Sequence, residues 1–151
     1  TEYTLTASGG YTAKLYVTFT QDADTIDWES EEFTIVIAES KLTCPDGFSP
    51  NGDGINDYFR ITAQSIVEFE AIFFNSWGQK LNSVKLNDVV HAEGEPTKWV
   101  LWDGKVGGNT VKDGVYFVNI NARGSDGVQY KIKKAVNVLK GFKENGESPI
   151  E

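Results

Sequence analysis

The stretch Val115-Tyr-Phe-Val-Asn-Ile-Asn-Ala122, followed by Ser125-Asp126-Gly127 and then Val128-Gln-Tyr-Lys-Ile-Lys-Lys-Ala-Val-Asn-Val-Leu139, decides the fold class. Two runs rich in β-branched and aromatic residues flank an Asp-Gly pair, which readily takes the positive φ angles of a hairpin turn. The expected order is strand, turn, strand. Lys133-Lys134 interrupts the alternation of the second run and predicts a bulge or a sheet edge there. Working outward, Ile66 to Asn75 places Val67, Phe69, Ala71 and Phe73 on one face, and Tyr58 to Thr62 and Trp99 to Trp102 are further short strands between Gly-rich turns. Upstream, Ala13, Leu15, Val17 and Phe19 alternate with Thr12, Lys14, Tyr16, Thr18 and Thr20, and Phe33, Ile35 and Ile37 repeat the pattern. Gln21 to Glu32 reads as acidic and turn-like, with Ile26 and Trp28 as an irregular edge, and Tyr3 to Ala7 as a short strand ahead of a Gly9-Gly10 turn. No window of about 11 residues carries a helical period. The sequence predicts an all-β chain forming a small antiparallel β-sandwich.

The composition supports this and narrows the function classes. The chain has 151 residues, with 15 Gly, nine Phe, six Tyr and four Trp, which suits short strands joined by tight turns. Its net charge of −8 argues against a nucleic-acid binder, which needs a basic face to displace phosphate counterions, and against docking on anionic lipid. The charge is concentrated in residues 1–40, where eight acidic groups and Lys14 give −7; the remaining 14 acidic and 13 basic groups give −1. No apolar run approaches the ~18 residues of a membrane span. The first residues, Thr1-Glu2-Tyr3, are no signal peptide, so targeting information is expected either in a part preceding them or elsewhere in the chain. Cys44 is the sole cysteine, which excludes an internal disulfide.

Pro45, Gly47 and Pro50 break the strand pattern and set the main boundary at residues 42–50. Residues 1–41 are too few for an ordinary sandwich domain of about 100 residues. They are expected either to be strands of a preceding immunoglobulin-like domain or to extend the sandwich that follows, which spans 42–140 ahead of a tail at 141–151.

The densest motif is Phe48-Ser-Pro-Asn-Gly-Asp-Gly-Ile-Asn-Asp57. Asn51, Asp53 and Asp57 could ligate calcium, but Arg60 stands where an EF-hand needs its closing Glu, and no helices flank the loop. In the other reading the Asn and Asp side chains bond nearby backbone amides. Trp77, Trp99 and Trp102 allow two readings as well: a stacking platform for a surface glycan, or packing in the core and over turns. Catalysis finds no support. His91 sits in the polar insertion Asn87 to Glu95, Cys44 lacks a His partner, and the carboxylate pairs Glu31-Glu32 and Glu68/Glu70 lie in strand-like context. Gly104 to Thr110 lacks the Gly-Lys-Ser/Thr ending of a phosphate loop.

Taken in order, Phe48-Ser-Pro-Asn-Gly-Asp-Gly-Ile-Asn-Asp-Tyr-Phe59, Phe74-Asn-Ser-Trp-Gly78, Trp102-Asp-Gly104 and Asp113-Gly-Val-Tyr116, closed by the strand Tyr130 to Leu139, resemble the gliding-motility-associated C-terminal domain, the type B sorting domain of the type IX secretion system. The resemblance covers about residues 42–140. It implies an immunoglobulin-like antiparallel β-sandwich with no catalytic residues and no required cofactor. It also implies recognition by the outer-membrane secretion machinery and delivery of the parent protein to the cell surface or the medium of a Gram-negative bacterium. The family signature falls on Ser49, Pro50, Asn51, Gly52, Asp53, Gly54, Asn56 and Asp57, then on Trp77, Gly78, Trp102, Asp103, Gly104, Gly114 and Tyr116. The last strand, with Lys131, Lys133, Lys134 and Lys140, is the expected partner-binding edge, because strand addition supplies backbone hydrogen bonds while Lys side chains discourage random pairing. The competing functions are a carbohydrate- or surface-binding module, with or without calcium, and a structural spacer of an adhesin.

Overall fold

The computed structural model describes residues 4, 5, 7–88 and 96–141. The acidic front of the chain forms a two-stranded antiparallel ribbon. β1 (Gly9–Ala13) pairs with β4 (Phe33–Ile37), and β2 (Tyr16–Gln21) pairs with β3 (Asp24–Glu29). Asp22 and Ala23, with φ of 48° and 74°, make the two-residue turn between β2 and β3. Ala13 faces Phe33 while Tyr16 faces Glu29, so the returning strand carries one extra residue at Ser30 to Glu32. Ser30 closes this bulge: its N–H donates to the Leu15 carbonyl at 2.8 Å, and its Oγ accepts from the Leu15 N–H at 2.9 Å. The bulge reverses the facing parity of the returning strand. That reversal keeps Phe33, Ile35 and Ile37 on the same face as Ile26 and Trp28, and as Ala13, Val17 and Phe19 of the outgoing strand.

This corrects two expectations. The segment Gln21 to Glu32 is mostly strand, because Val17–Trp28 and Phe19–Ile26 are cross-strand pairs whose contact outweighs the poor strand propensity of its acidic residues. Gly9-Gly10 starts β1 and makes no turn; of the strand expected before it, Tyr3 and Thr6 lie outside the described residues.

The remainder is a β-sandwich. One layer has the order β10 (Thr97–Trp102), β7 (Phe59–Gln64), β5 (Lys41–Thr43). The other has the order β6 (Gly47–Phe48), β14 (Gln129–Val138), β13 (Gly114–Gly124), β8 (Ile66–Phe74), β9 (Lys80–Lys85). All pairings are antiparallel except the short β6–β14 contact. A small hairpin, β11 (Lys105–Val106) with β12 (Asn109–Thr110), turns at Gly107-Gly108.

The core lies between the layers: Phe59, Ile61 and Ala63 from β7, Phe69, Ala71 and Phe73 from β8, Trp99, Leu101 and Trp102 from β10, Val118, Ile120 and Ala122 from β13, and Val136 and Val138 from β14. Among the described residues no side chain before Leu42 belongs to it. Three register shifts interrupt the sandwich: one lies between Phe73 and Phe74 against β9, and the other two change which side chains face inward. A register shift at Arg123/Gly124 turns Ile66 inward and leaves Val67 exposed, against the expectation for Val67. A second, between Val100 and Trp102, lets the adjacent Leu101 and Trp102 both enter the core. β13 and β14 pair without any shift from Arg123↔Gln129 to Gly114↔Val138, so Lys133-Lys134 marks no bulge. Among the described residues the outer side of β14 is paired only at Asn137 and Val138, through β6, which leaves Gln129 to Val136 as an edge without a strand partner.

Candidate recognition site

The signature residues gather at one end of the sandwich, and most of them hold each other in place. Phe48 stacks edge-on to Phe59 at 6.0 Å and lies 5.7 Å from Trp102; Trp102 lies 5.1 Å from Phe73 and 5.6 Å from Tyr116. The edge-to-face pairs Phe48–Phe59 and Trp102–Tyr116 add to the stability gained by burying the rings. Trp102 is 3% exposed and donates its Nε1–H to the Lys105 carbonyl at 3.0 Å. Asp103 accepts from the Lys105 N–H, which ties the turn below it. Gly104 has φ +73°, and a Cβ there would stand 2.8 Å from Pro50 Cγ. The Trp102-Asp-Gly104 turn therefore abuts the Ser49-Pro-Asn51 loop, so two motifs far apart in sequence form one joint. Tyr116 closes the fourth motif by donating its hydroxyl to the Lys112 carbonyl at 2.7 Å. Gly114 has φ +155°, a value that residues with a Cβ rarely adopt, and opens β13.

The loop at Asn51 to Asp57 follows the backbone-bonding reading. Asp57 Oδ1 accepts from the N–H groups of Asn51 and Gly52, at 3.1 and 2.7 Å, and its Oδ2 from Gly54 N–H at 2.7 Å. Asn51 accepts from Asp53 N–H and Asp53 from Ile55 N–H. Ser49 donates its N–H to the Asn56 carbonyl, and Gly52, Gly54 and Asn56 take the positive φ angles that this winding needs. Desolvation opposes ionisation of Asp57, yet the loop amides prevail and hold its carboxyl below the usual range. The calcium ligands named from sequence thus serve as acceptors for the loop's own amides. Among the described residues no three His, Cys, Asp or Glu side chains cluster to hold a metal ion.

The tryptophans separate. Trp99 and Trp102 are each 3% exposed in the core, whereas Trp77 is 92% exposed. The three form no common platform, because β10 turns both of its tryptophans inward. Gly78, with φ +81°, completes the Asn75-Ser-Trp-Gly78 turn that carries Trp77.

The four lysines of the last strand also separate. Lys134 points inward, ion-paired to Asp46 at 2.6 Å and bonded to the Cys44 carbonyl at 3.0 Å. That correction follows from its register opposite the buried Val118. Lys140 lies beyond β14 and donates its N–H to Asp113. Lys131 and Lys133 remain on the outward face, opposite Asn121 and Asn119. Burial pushes the Cys44 thiol up from its ordinary range despite neighbouring Lys134, which is the reverse of an activated nucleophile. His91 lies outside the described residues.

One site escapes sequence reasoning altogether. Asp126, expected only to form a hairpin turn, is 7% exposed and clasps Ser40. Its Oδ2 accepts from Ser40 N–H and its Oδ1 from Ser40 Oγ–H, both at 2.8 Å, with Val128 N–H a third donor at 3.2 Å. The hydroxyls of Ser40 and Tyr130 share a further hydrogen bond at 2.8 Å. Desolvation raises the carboxyl and these donors lower it further, so Asp126 stays below the usual carboxylate range. The clasp ties the end of the ribbon to the β13–β14 turn. The residues are 86 apart, and no local signal announces the contact.

The profile of a family described as the CHU_C type IX secretion signal domain matches residues 42–138. That span is the sandwich. None of the curated proteins matches the chain. A solved structure, dimeric latent PorU from Porphyromonas gingivalis, is similar over 89% of this chain at 18% identity, with a TM-score of 0.44. The chain spans 12% of that structure's length.

Proposed function

This chain belongs to the CHU_C type IX secretion signal domain family, and from that membership we propose that it is a folded, non-enzymatic sorting and attachment domain that hands its parent protein to the outer-membrane secretion machinery. The cargo then reaches the cell surface or the medium of a Gram-negative bacterium. The family match over 42–138 carries this reading, and it spans the sandwich from β5 to β14. A second feature supports it. Among the described residues no strand pairs with β14 from Gln129 to Val136, an edge to which a partner strand can add, while Lys131 and Lys133 discourage indiscriminate pairing. No helix among the described residues is long and apolar enough to cross a membrane.

The ribbon at residues 9–37 belongs, in this proposal, to a layer separate from the sorting domain. A lone two-stranded hairpin is marginal in water, yet this one directs Phe19, Ile26, Trp28, Phe33 and Ile35 to one side, all exposed. Such a face suits the inner side of a preceding immunoglobulin-like sandwich. The test of sorting is a transplant. The chain, appended to a reporter bearing a periplasmic leader and produced in a bacterium with a type IX system, should carry the reporter out of the cell. Deleting residues 129–151 from the parent protein should leave its cargo inside. A reporter that stays in the periplasm would overturn the proposal.

A further inference from the structure

We propose that Trp77 is the anchor by which this domain docks on the export machinery, its indole entering an apolar socket rimmed by carboxylates that meet Lys131 and Lys133; this rests on the sorting function proposed above. The first observation is exposure. Trp77 is the most exposed large hydrophobic residue in the described chain, at 92%. Among the other motif aromatics Tyr58 is 43% exposed, but Phe48, Trp102 and Tyr116 pack into or against the core. Folding accounts for those three and leaves Trp77 unexplained, because a polar residue at the same turn position would cost the core nothing.

The second observation is rigidity. Asn75 Oδ1 accepts from the N–H groups of Trp77 and Gln79, at 3.0 and 2.9 Å, and Asn75 Nδ2 donates to Gln79 Oε1 at 3.1 Å. The Gly78 N–H donates to the Asn75 carbonyl and the Asn75 N–H to the Gln79 carbonyl, each at 3.0 Å. The turn therefore presents its ring on a fixed backbone and loses little chain entropy on docking. A large aromatic group held in this way is the usual centre of a protein–protein contact.

The third observation gives the partner's chemistry. Beside the turn lies an open cleft of about 560 Å³ on the outer face of the larger sheet, lined by Phe74, Phe117, Ala135, Asn119 and Lys133 among others. Phe117 is exposed there. On the same face Arg123 is paired with Glu68 at 2.7 Å, and Glu70 stands across from Lys85. Lys131 and Lys133 make no ion pair among the described residues, and neither does Lys80 across from Phe74, so this face carries uncompensated positive charge. An apolar floor, a projecting indole and spare cations fit an acidic-rimmed apolar socket on a protein. Trp99 and Trp102, the tryptophans that could have extended a sugar platform from Trp77, are buried.

The experiment uses the full chain fused to a periplasm-directed reporter in a type IX-competent bacterium, with exported and retained reporter quantified by immunoblot. Truncating an anchor of this kind weakens binding by about 30-fold. Trp77→Ala should therefore cut the exported-to-retained ratio at least tenfold, Trp77→Phe should restore part of it, and Lys131→Glu with Lys133→Glu should reduce it severalfold. The melting temperature of purified Trp77→Ala should stay within about 2 °C of the parent, because the ring touches no core. Normal export of Trp77→Ala alongside an exported parent overturns the anchor and leaves the sorting function standing. Retention of the parent chain itself overturns both. Trp77-dependent binding of the purified chain to a glycan array, with Trp77→Ala exported normally, reassigns the ring to a carbohydrate and also overturns the docking proposal.

Discussion

Replacing Asp126 by Ala tests the clasp that joins Ser40 to the β13–β14 turn. The substitution removes the acceptor of three hydrogen bonds, two of them at 2.8 Å to Ser40. Ser40 is 5% exposed, so its N–H loses its partner without gaining water. A hydrogen bond to a charged group contributes about 1.5–3 kcal/mol, and a stranded buried donor costs about 1–3 kcal/mol. These contributions overlap, and the Ser40 hydroxyl keeps Tyr130. The expected loss is on the order of 3–4 kcal/mol. For a domain of about 100 residues that lowers the melting temperature by roughly 12–32 °C. Asp126→Asn should fall between the parent and Asp126→Ala. Its amide can accept on one side only, and its NH₂ must face the N–H of either Ser40 or Val128.

The pH dependence gives a second readout of the same clasp. The carboxyl of Asp126 is held below its unfolded range. Its contribution to stability is therefore fully present above the unfolded value of about 3.9 and is lost as pH falls through the lower folded value. The stability gap between parent and Asp126→Asn, measured by urea denaturation, should be constant from pH 7 to about pH 5 and should shrink as pH is lowered past 4. A gap below 1 kcal/mol for Asp126→Ala at pH 7, or a gap for Asp126→Asn that is undiminished in acid, would refute the reasoning.

Two further expectations concern the joint between motifs and the ribbon. Gly104→Ala should destabilise the sandwich by about 2–4 kcal/mol in urea denaturation, from positive-φ strain together with the collision with Pro50 and Phe48; a loss under 1 kcal/mol would mean that the two loops do not abut. Removing residues 1–37, which spares Ser40, should leave the main melting transition within about 3 °C, because no ribbon side chain lies in the core. A drop of 10 °C or more would place the ribbon in the same cooperative unit.

Strand character, turn chemistry and the motif order were legible in the sequence because each depends on neighbours a few residues apart. Period-two alternation marked most strands, and Asp-Gly marked the last hairpin. It failed where bulges reset the register, at Ser30 to Glu32, Arg123/Gly124 and Val100/Trp102, since a single extra residue is invisible in composition. The acidic β3 was missed because its partner, β2, supplies the apolar contacts that its own charges conceal.

The site was legible as a list of residues and hidden as an arrangement. Asn51, Asp53 and Asp57 offered oxygens to amides or to calcium, and only the closed chain showed which of the loop's N–H groups they accept from. Four lysines looked alike along one strand, and only the register against β13 turned Lys134 inward to Asp46 while leaving Lys131 and Lys133 outside. By itself the sequence determined an all-β chain, its acidic front and a chain of motifs with a recognisable family likeness, all properties of local order. Only the tertiary structure decided that Trp102 is core and Trp77 is surface, that Gly104 meets Pro50, and that Asp126 holds Ser40. These are contacts between residues brought together by packing, and their free energies depend on burial and on partners that no sequence window contains.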